Sequence, residues 1–258
     1  MTPRKTIAIA AAAVLLAGGG VFAAIAADAP SARYLPFQLD TTRILQPAPT
    51  AGTARYEADR LIFLETRSLK GSDRWAMAQG DADSSKVMQQ FSCSAGLVLD
   101  KDTAPKLTAL LLHIRKDVGD STNLAKDFYK RPRPFRIDEG ETCVDKPSSL
   151  DYPSGHTTWG WSVGLILAEL IPDRTSQILL RARAIGESRA VCGVHNASAV
   201  EAGRVNGSAV VAALHGQEAF RKDMDGVRKE IADLREKGAV PDAGQCKAEA
   251  DILAKDPY

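Results

Sequence analysis

Apolar residues recur at intervals of three and four along this 258-residue chain from about position 54 onward. This spacing lines one face of an α-helix, and Ala and Leu, which favour helices, are abundant. Alternation of β-branched and polar residues, which is typical of strands, is scarce. We therefore predict an all-α, single-domain helical bundle over residues 53–258. The predicted helices are Ala54–Ser68, Ser72–Gln90, Ala104–Val118, Ser121–Tyr129, Ser154–Leu170, Arg174–Val191, Asn196–Leu214 and Gly216–Lys237.

The first 26 residues resemble a secretion signal rather than part of the fold. Arg4 and Lys5 precede an apolar stretch that ends in the small-residue sequence Ala24-Ile25-Ala26. A basic start, an apolar middle and a small-x-small end are typical of cleaved signal peptides. An uncleaved membrane anchor is the alternative, although three consecutive glycines interrupt the stretch. We predict cleavage after residue 26 and a periplasmic or secreted protein that has no membrane partner after cleavage.

Proline marks two segments outside the predicted helices. Residues 27–52 contain four prolines and form a predicted extended lead-in to the helical domain. Residues 131–152 contain three prolines and form a predicted loop, and long loops in compact domains often carry function. The formal net charge is +1, so no basic excess indicates a nucleic-acid partner.

The four cysteines are widely spaced along the chain, at positions 93, 143, 192 and 246. None forms a C-x-x-C pair, which argues against a zinc site. In an oxidising compartment they predict up to two disulfides, and the spacing leaves all three pairings open.

Two short segments at predicted helix ends suit the binding of an oxyanion. In AKDFYKRPRPF, Lys126 lies near the end of a helix and Arg133 is held between two prolines. In YPSGHTTWGW, Ser154 and Gly155 begin a helix whose first-turn amides can bind an anion, and His156 projects from that turn. Each segment alone is also explained by solvated charges beside a loop or by an ordinary serine cap.

A third segment, SRAVCGVHNASAVEAGR, places two further charged or titratable residues at a turn between helices. Arg189 ends one predicted helix and His195 begins the next. Alone, this segment could be a buried turn whose histidine satisfies backbone groups. The three segments in this order and spacing are much more specific than any one of them.

The ordered combination resembles the type-2 phosphatidic acid phosphatase superfamily, which also contains vanadium haloperoxidases. Within it, the chain looks most like the secreted bacterial class A non-specific acid phosphatases, over about residues 47–220. The resemblance implies an active site at helix ends that hydrolyses phosphomonoesters at acidic pH. It implies that His195 is the nucleophile, forming a phosphohistidine, and that His156 is the general acid. The phosphate-binding residues that it implies are Lys126, Arg133, Ser154, Gly155 and Arg189.

The same resemblance bears on cofactors, partners and disulfides. Three cations can neutralise a phosphate, so we expect no metal and no other cofactor. The expected partners are small phosphomonoesters and inorganic phosphate, and the family often forms homo-oligomers. Family analogy favours a Cys143–Cys192 disulfide beside the nucleophile, which leaves Cys93 and Cys246 for the second.

One position departs from the family pattern. Ala199 stands four residues after His195, where the family has an aspartate that orients the nucleophile. Ser198, one helical turn from His195, or Glu201, farther round the helix, could orient the ring instead, as could a backbone carbonyl. The alternatives are a weakly active enzyme or a phosphate-binding pseudoenzyme, with a vanadate-dependent haloperoxidase as a minor alternative.

Overall fold

Ten α-helices follow an irregular N-terminal segment in the part of the chain that the structure describes, a computed structural model of residues 33–238 and 240–258. Those residues contain no strand, so the predicted all-α fold is confirmed. The predicted signal peptide, residues 1–26, lies outside the described residues. The helices are α1 (Ala54–Glu65), α2 (Asp73–Gly80), α3 (Val87–Gln90), α4 (Ser92–Ala95), α5 (Pro105–Tyr129), α6 (Gly155–Leu170), α7 (Thr175–Val191), α8 (Ala197–His215), α9 (Glu218–Glu236) and α10 (Ala243–Leu253).

Four short 3₁₀ helices connect these elements: Thr66–Leu69, Ser84–Lys86, Pro134–Arg136 and Pro172–Arg174. Across the described ranges, no helix combines the length and the apolar character that a membrane crossing requires.

Helix α6 packs against both α7 and α8, and small residues bring these three helices close together. A Cβ placed on Gly164 would lie 2.5 Å from the Cβ of Ala182 on α7. A Cβ placed on Gly203 of α8 would lie 2.8 Å from the carbonyl oxygen of Ser154. The second contact holds the start of α6 against α8, so the glycines position the two helix ends that carry the candidate histidines.

Replacing Gly164 with alanine is expected to lower the free energy of unfolding by about 1–3 kcal/mol, because α6 and α7 must move apart. Gly119 on α5 is the matched control, since a Cβ there meets no atom within 4 Å. Gly119→Ala should be neutral or stabilising by up to about 1 kcal/mol, as alanine favours helix. Urea unfolding of both variants checks the prediction, and similar changes in the two would contradict it.

The predicted helices Ala104–Val118 and Ser121–Tyr129 are one continuous helix, α5. The predicted boundary is wrong because Ser121 does not cap a helix. Its hydroxyl donates to Oδ1 of Asn206 at 2.8 Å in the core. As a consequence, Lys126 lies on the last turn of a 25-residue helix rather than on a short separate one.

The predicted helix Ser72–Gln90 is wrong in the opposite sense, because the structure divides it into α2, a 3₁₀ turn and α3. Asp81, at the break, is buried and accepts hydrogen bonds from Arg181 at 3.1 Å and Ser188 at 2.6 Å, both on α7. These bonds hold the chain out of helical conformation after α2. The carbonyl of Ala82 therefore lies outside any helix, where it is free to accept a hydrogen bond from a side chain.

Helix α10 was not predicted, and none of its residues is buried, so its sequence carries no core-facing apolar stripe. It is held instead by a Cys93–Cys246 disulfide and by Glu249, which lies 3.4 Å from Arg181. The second disulfide joins Cys143 to Cys192. The Cys143–Cys192 pairing favoured by family analogy is confirmed, as is the pairing of the two cysteines that it leaves.

Candidate active site

His195 lies just before helix α8 and is buried, with 3% of its surface exposed. The turn that precedes it passes through Gly193 at φ +69°, and the carbonyl of Arg189 accepts the His195 N–H at 3.2 Å. Nδ1 of His195 lies 2.9 Å from Oδ1 of Asp151. Because an ionised carboxylate only accepts hydrogen bonds, Nδ1 carries the hydrogen. Nε2 of the neutral ring therefore keeps its lone pair.

Asp151 is fully buried and was not among the predicted site residues. Its carboxylate also accepts the backbone N–H of Asn196 at 3.2 Å and the Asn196 side-chain amide at 2.8 Å. Burial raises the pKa of Asp151 to about 6, against the opposing effects of Arg131 and Asn196. The sequence does place an acidic residue, Asp151, directly before Tyr-Pro-Ser-Gly-His. No local pattern links it to its partner His195, which lies 44 residues farther along the chain.

The two side chains predicted as partners for His195 have other partners among the described residues. The Ser198 hydroxyl lies 2.5 Å from Oδ2 of Asp59 and accepts a hydrogen bond from Arg131 at 2.6 Å. Glu201 is exposed and lies 3.8 Å from an arginine of α1. This corrects the prediction that Ser198 or Glu201 orients His195.

The start of helix α6 is fixed by Ser154 and by a contact with α8. The Ser154 hydroxyl caps the helix by accepting the N–H of Thr157 at 3.3 Å, and the Ser154 N–H donates to the Ala199 carbonyl at 2.9 Å. Gly155, the first helical residue, is only half-buried. Amides in a first helical turn lack intrahelical acceptors and carry partial positive charge. This end of α6 therefore suits an anion, as predicted from Pro-Ser-Gly-His.

His156 projects from the same first turn and is half-buried. Its Nε2 lies 3.0 Å from the carbonyl oxygen of Ala82, in the break after α2. Since a carbonyl only accepts, Nε2 carries a hydrogen, and Nδ1 is the atom left to exchange a proton. Burial, followed by repulsion from Arg189, lowers the pKa of His156 to about 4.

Three buried cations come from three different segments. Lys126 donates to the carbonyl of Leu150. Arg133 donates to the carbonyl of Ser149 at 2.6 Å and to its hydroxyl at 2.8 Å. Arg189 differs from both, because its Nε and Nη1 are buried and have no hydrogen-bond partner in residues 33–238 and 240–258. A buried guanidinium with unpaired donors is costly unless an anion binds it.

The three cations act on one another and on the histidines. Burial and then repulsion from Arg133 lower the pKa of Lys126 to about 8 and that of Arg189 to about 10. Burial is also the main cause that lowers the pKa of Arg133 to about 10. Burial and repulsion from all three hold the pKa of His195 well below its usual range. A dianion among these groups would relieve the repulsion, so the arrangement suits one.

Comparison with known proteins agrees with this geometry. A model of the PAP2 superfamily matches residues 107–223, a span that includes every predicted site residue. An acid phosphatase of Zymomonas mobilis is 41% identical over 257 residues, which cover 96% of this chain and 97% of that protein. The chain belongs to the PAP2 superfamily.

Two further relatives of this PAP2 chain are named non-specific acid phosphatases. The protein from Providencia stuartii is 34% identical over 76% of this chain and 83% of its own length. The protein from Salmonella typhimurium is 33% identical over 73% of this chain and 79% of its own length. The catalytic and phosphate-binding roles of individual residues in this PAP2 chain stay predictions.

Proposed function

We propose that this protein is an acid phosphatase that hydrolyses phosphomonoesters through a phosphohistidine on Nε2 of His195. One observation carries the proposal. A buried, neutral His195 is held by Asp151 and lies within the field of three buried cations, one of which, Arg189, has unpaired donors. A phosphoryl group has the charge that the cations require, and its phosphorus is the electrophile that a neutral imidazole can attack.

In the first step, the Nε2 lone pair of His195 attacks phosphorus while the bond from phosphorus to the ester oxygen breaks. The departing alkoxide takes a proton from Nδ1 of His156, whose Nε2–H remains bonded to the Ala82 carbonyl. The arginines and Lys126 bind the non-bridging oxygens and stabilise the charge of the transition state. The products of this step are an alcohol and a phosphorylated His195.

In the second step, water attacks the phosphohistidine and the bond from phosphorus to Nε2 breaks. His156 is now neutral, so its Nδ1 accepts a proton from the attacking water. Inorganic phosphate leaves, and both histidines return to their starting states. Neither step requires a metal ion, because side-chain cations neutralise the phosphate.

The phosphate-binding pseudoenzyme alternative rested on the alanine at position 199. That argument loses its basis because a carboxylate from elsewhere in the chain contacts His195. The relatives are named acid phosphatases, which also favours a phosphatase over a haloperoxidase.

Three finer features are part of the proposal. The N-terminal sequence supports export to the periplasm or beyond the cell. Recognition through the phosphoryl group alone supports a broad range of small phosphomonoester substrates. Assembly into homo-oligomers is a prediction from the family resemblance.

The rate of p-nitrophenyl phosphate hydrolysis should describe a bell-shaped curve with its maximum on the acid side of neutrality. His156 must be protonated, and a bound dianion raises its pKa from about 4 by offsetting repulsion from Arg189. As pH rises through that higher value, the general acid is lost and the rate falls. Above about pH 8, Lys126 also loses its charge, since its pKa is about 8.

On the acid side, protonation of Asp151 or His195 removes the oriented nucleophile and lowers the rate. Measurement of kcat from about pH 4 to about pH 9 checks both limbs, because kcat reports the titrating groups of the enzyme–substrate complex, in which the anion is bound. A rate that stays constant up to about pH 9 would contradict the assignment of His156 as the acid. Wild-type protein with no turnover at any pH would overturn the proposed function.

A further inference from the structure

The position where the family has a carboxylate, four residues after His195, holds only a methyl group in this chain. Ala199 is fully buried and packs in an apolar cluster with Tyr152, Ala125 and Ala202. Its backbone carbonyl accepts the N–H of Ser154 and so joins α8 to α6. The partner of the His195 Nδ1 is Asp151 and not position 199.

Asp151 approaches the same imidazole from a different segment, the residues immediately before α6. Its carboxylate accepts hydrogen bonds at 2.9, 3.2 and 2.8 Å from donors of His195 and Asn196. Its own N–H donates to the carbonyl of Arg131 at 3.0 Å, which fixes the backbone that carries it. The carboxylate therefore holds both the imidazole and Asn196, the residue immediately before α8.

The two residues before Asp151 contact the proposed phosphate-binding cations. Ser149 accepts hydrogen bonds from Arg133, and Leu150 accepts one from Lys126. Residues 149–151 thus position two cations and the nucleophile together. A shift of this segment would misplace the anion and the attacking nitrogen at once.

We propose that Asp151 is the positioning residue for the nucleophile, and that it replaces the carboxylate that the family carries on helix α8. The inference rests on the proposed function, in which Nε2 of His195 becomes bonded to phosphorus. Asp151 keeps the hydrogen on Nδ1, so that Nε2 presents its lone pair. When Nε2 is phosphorylated the ring becomes cationic, and the carboxylate balances that charge.

Arg131 supports Asp151 in this role. Its Nε lies 3.7 Å from Oδ2 of Asp151, and its Nη2 donates to Asp59 at 2.7 Å. Asp59 in turn accepts the N–H of Ser198 at 2.8 Å, in the first turn of α8. A buried ionic network therefore joins α1, the segment before α6 and the start of α8 around Asp151.

The experiment is Asp151→Asn, with Asp145→Asn as the matched control on an exposed residue of the same loop. The asparagine keeps the shape: its oxygen can accept from His195, and its amide can donate to a rotated Asn196 amide. Only the negative charge is lost. We expect kcat for p-nitrophenyl phosphate to fall by at least ~10³-fold, approaching the ~10⁴-fold that the analogous change costs in a serine-protease triad. Asp145→Asn should retain wild-type kcat.

The inhibition constant for inorganic phosphate separates positioning from a merely structural role. Removing a negative charge beside a cationic site should leave that constant unchanged or lower it. A variant that loses kcat while the constant rises about tenfold or more has a damaged site, and this result would overturn the inference. Retention of more than about a tenth of wild-type kcat would overturn it as well.

Ala199→Asp is the second test, made in the otherwise wild-type chain. If Asp151 already supplies the carboxylate, this variant should show equal or lower kcat. A rise of about threefold or more would show that the site lacked a carboxylate, contrary to the inference. Both tests are read against active wild-type protein. An inactive wild type would instead overturn the proposed function.

Discussion

Replacing His195 with alanine is expected to lower kcat for p-nitrophenyl phosphate by on the order of 10⁶-fold, the scale observed when a covalent nucleophile is removed. The buried imidazole is the only side chain in the proposed mechanism that forms a bond to phosphorus. The remaining cations can still bind substrate, so the loss should lie in kcat rather than in binding. Steady-state assays with the purified variant measure this effect.

His215→Ala is the matched control, because His215 lies at the other end of α8 and pairs with Glu169 at 3.0 Å. It should retain wild-type activity. Acid-labile, base-stable radiolabel from phosphate-labelled substrate should appear on wild-type protein after a rapid quench. The same labelling pattern on the His195 variant would rule out His195 as the phosphorylated residue.

Replacing Arg189 with methionine is expected to lower kcat/KM by about 10³-fold while making the ligand-free protein more stable. The first effect follows because a guanidinium on the transferring phosphoryl group contributes on this scale. The second follows because Arg189 is buried and has two unpaired donors in the part of the chain that the structure describes. Exchanging it for an apolar side chain of similar length should raise the free energy of unfolding by about 1–2 kcal/mol.

Thermal unfolding with and without inorganic phosphate measures the second effect. Phosphate should raise the melting temperature of the wild type, since a ligand that binds only the folded state stabilises it, and should do so much less for Arg189→Met. Arg183→Met on the same helix is the control, because 40% of the Arg183 side chain is exposed to solvent and its charge lies 3.1 Å from Glu187, although its Nε makes no hydrogen bond in the part of the chain that the structure describes. A lower free energy of unfolding for Arg189→Met than for the wild type would contradict this prediction, because it would show that Arg189 stabilises the fold.

Replacement of Arg189 is expected to lower activity and to raise the free energy of unfolding, so stability and function are opposed at this residue. Lys126 and Arg133 hydrogen-bond to carbonyls of residues 149 and 150, so part of their burial cost is offset within the protein. Arg189 lacks such compensation among the described residues. Burial and repulsion from Arg133 also lower its pKa to about 10. A preorganised cation of this kind is costly before the substrate arrives and effective once it has bound.

Much of the fold could be predicted from local patterns. The helices that became α6, α7, α8 and α9 lie within about three residues of their predicted bounds, because each carries a long apolar stripe or a clear end signal. The errors fall where a tertiary contact overrides the local pattern. Ser121 is bonded to Asn206 instead of capping a helix, and Asp81 is bonded to α7 instead of continuing one.

The sequence by itself determined the fold class, the order of three motifs and the residue types for binding and cleaving a phosphate ester. Each motif is local, so a helix end and its charged residues can be recognised without knowing what lies across from them. The tertiary structure alone decided the partners of the two histidines. Asp151 reaches His195 across 44 residues, and Ala82 reaches His156 across 74 residues through a break that the helical pattern concealed. Hydrogen bonds of this kind depend on how helix ends meet in space, which no periodicity along the chain encodes.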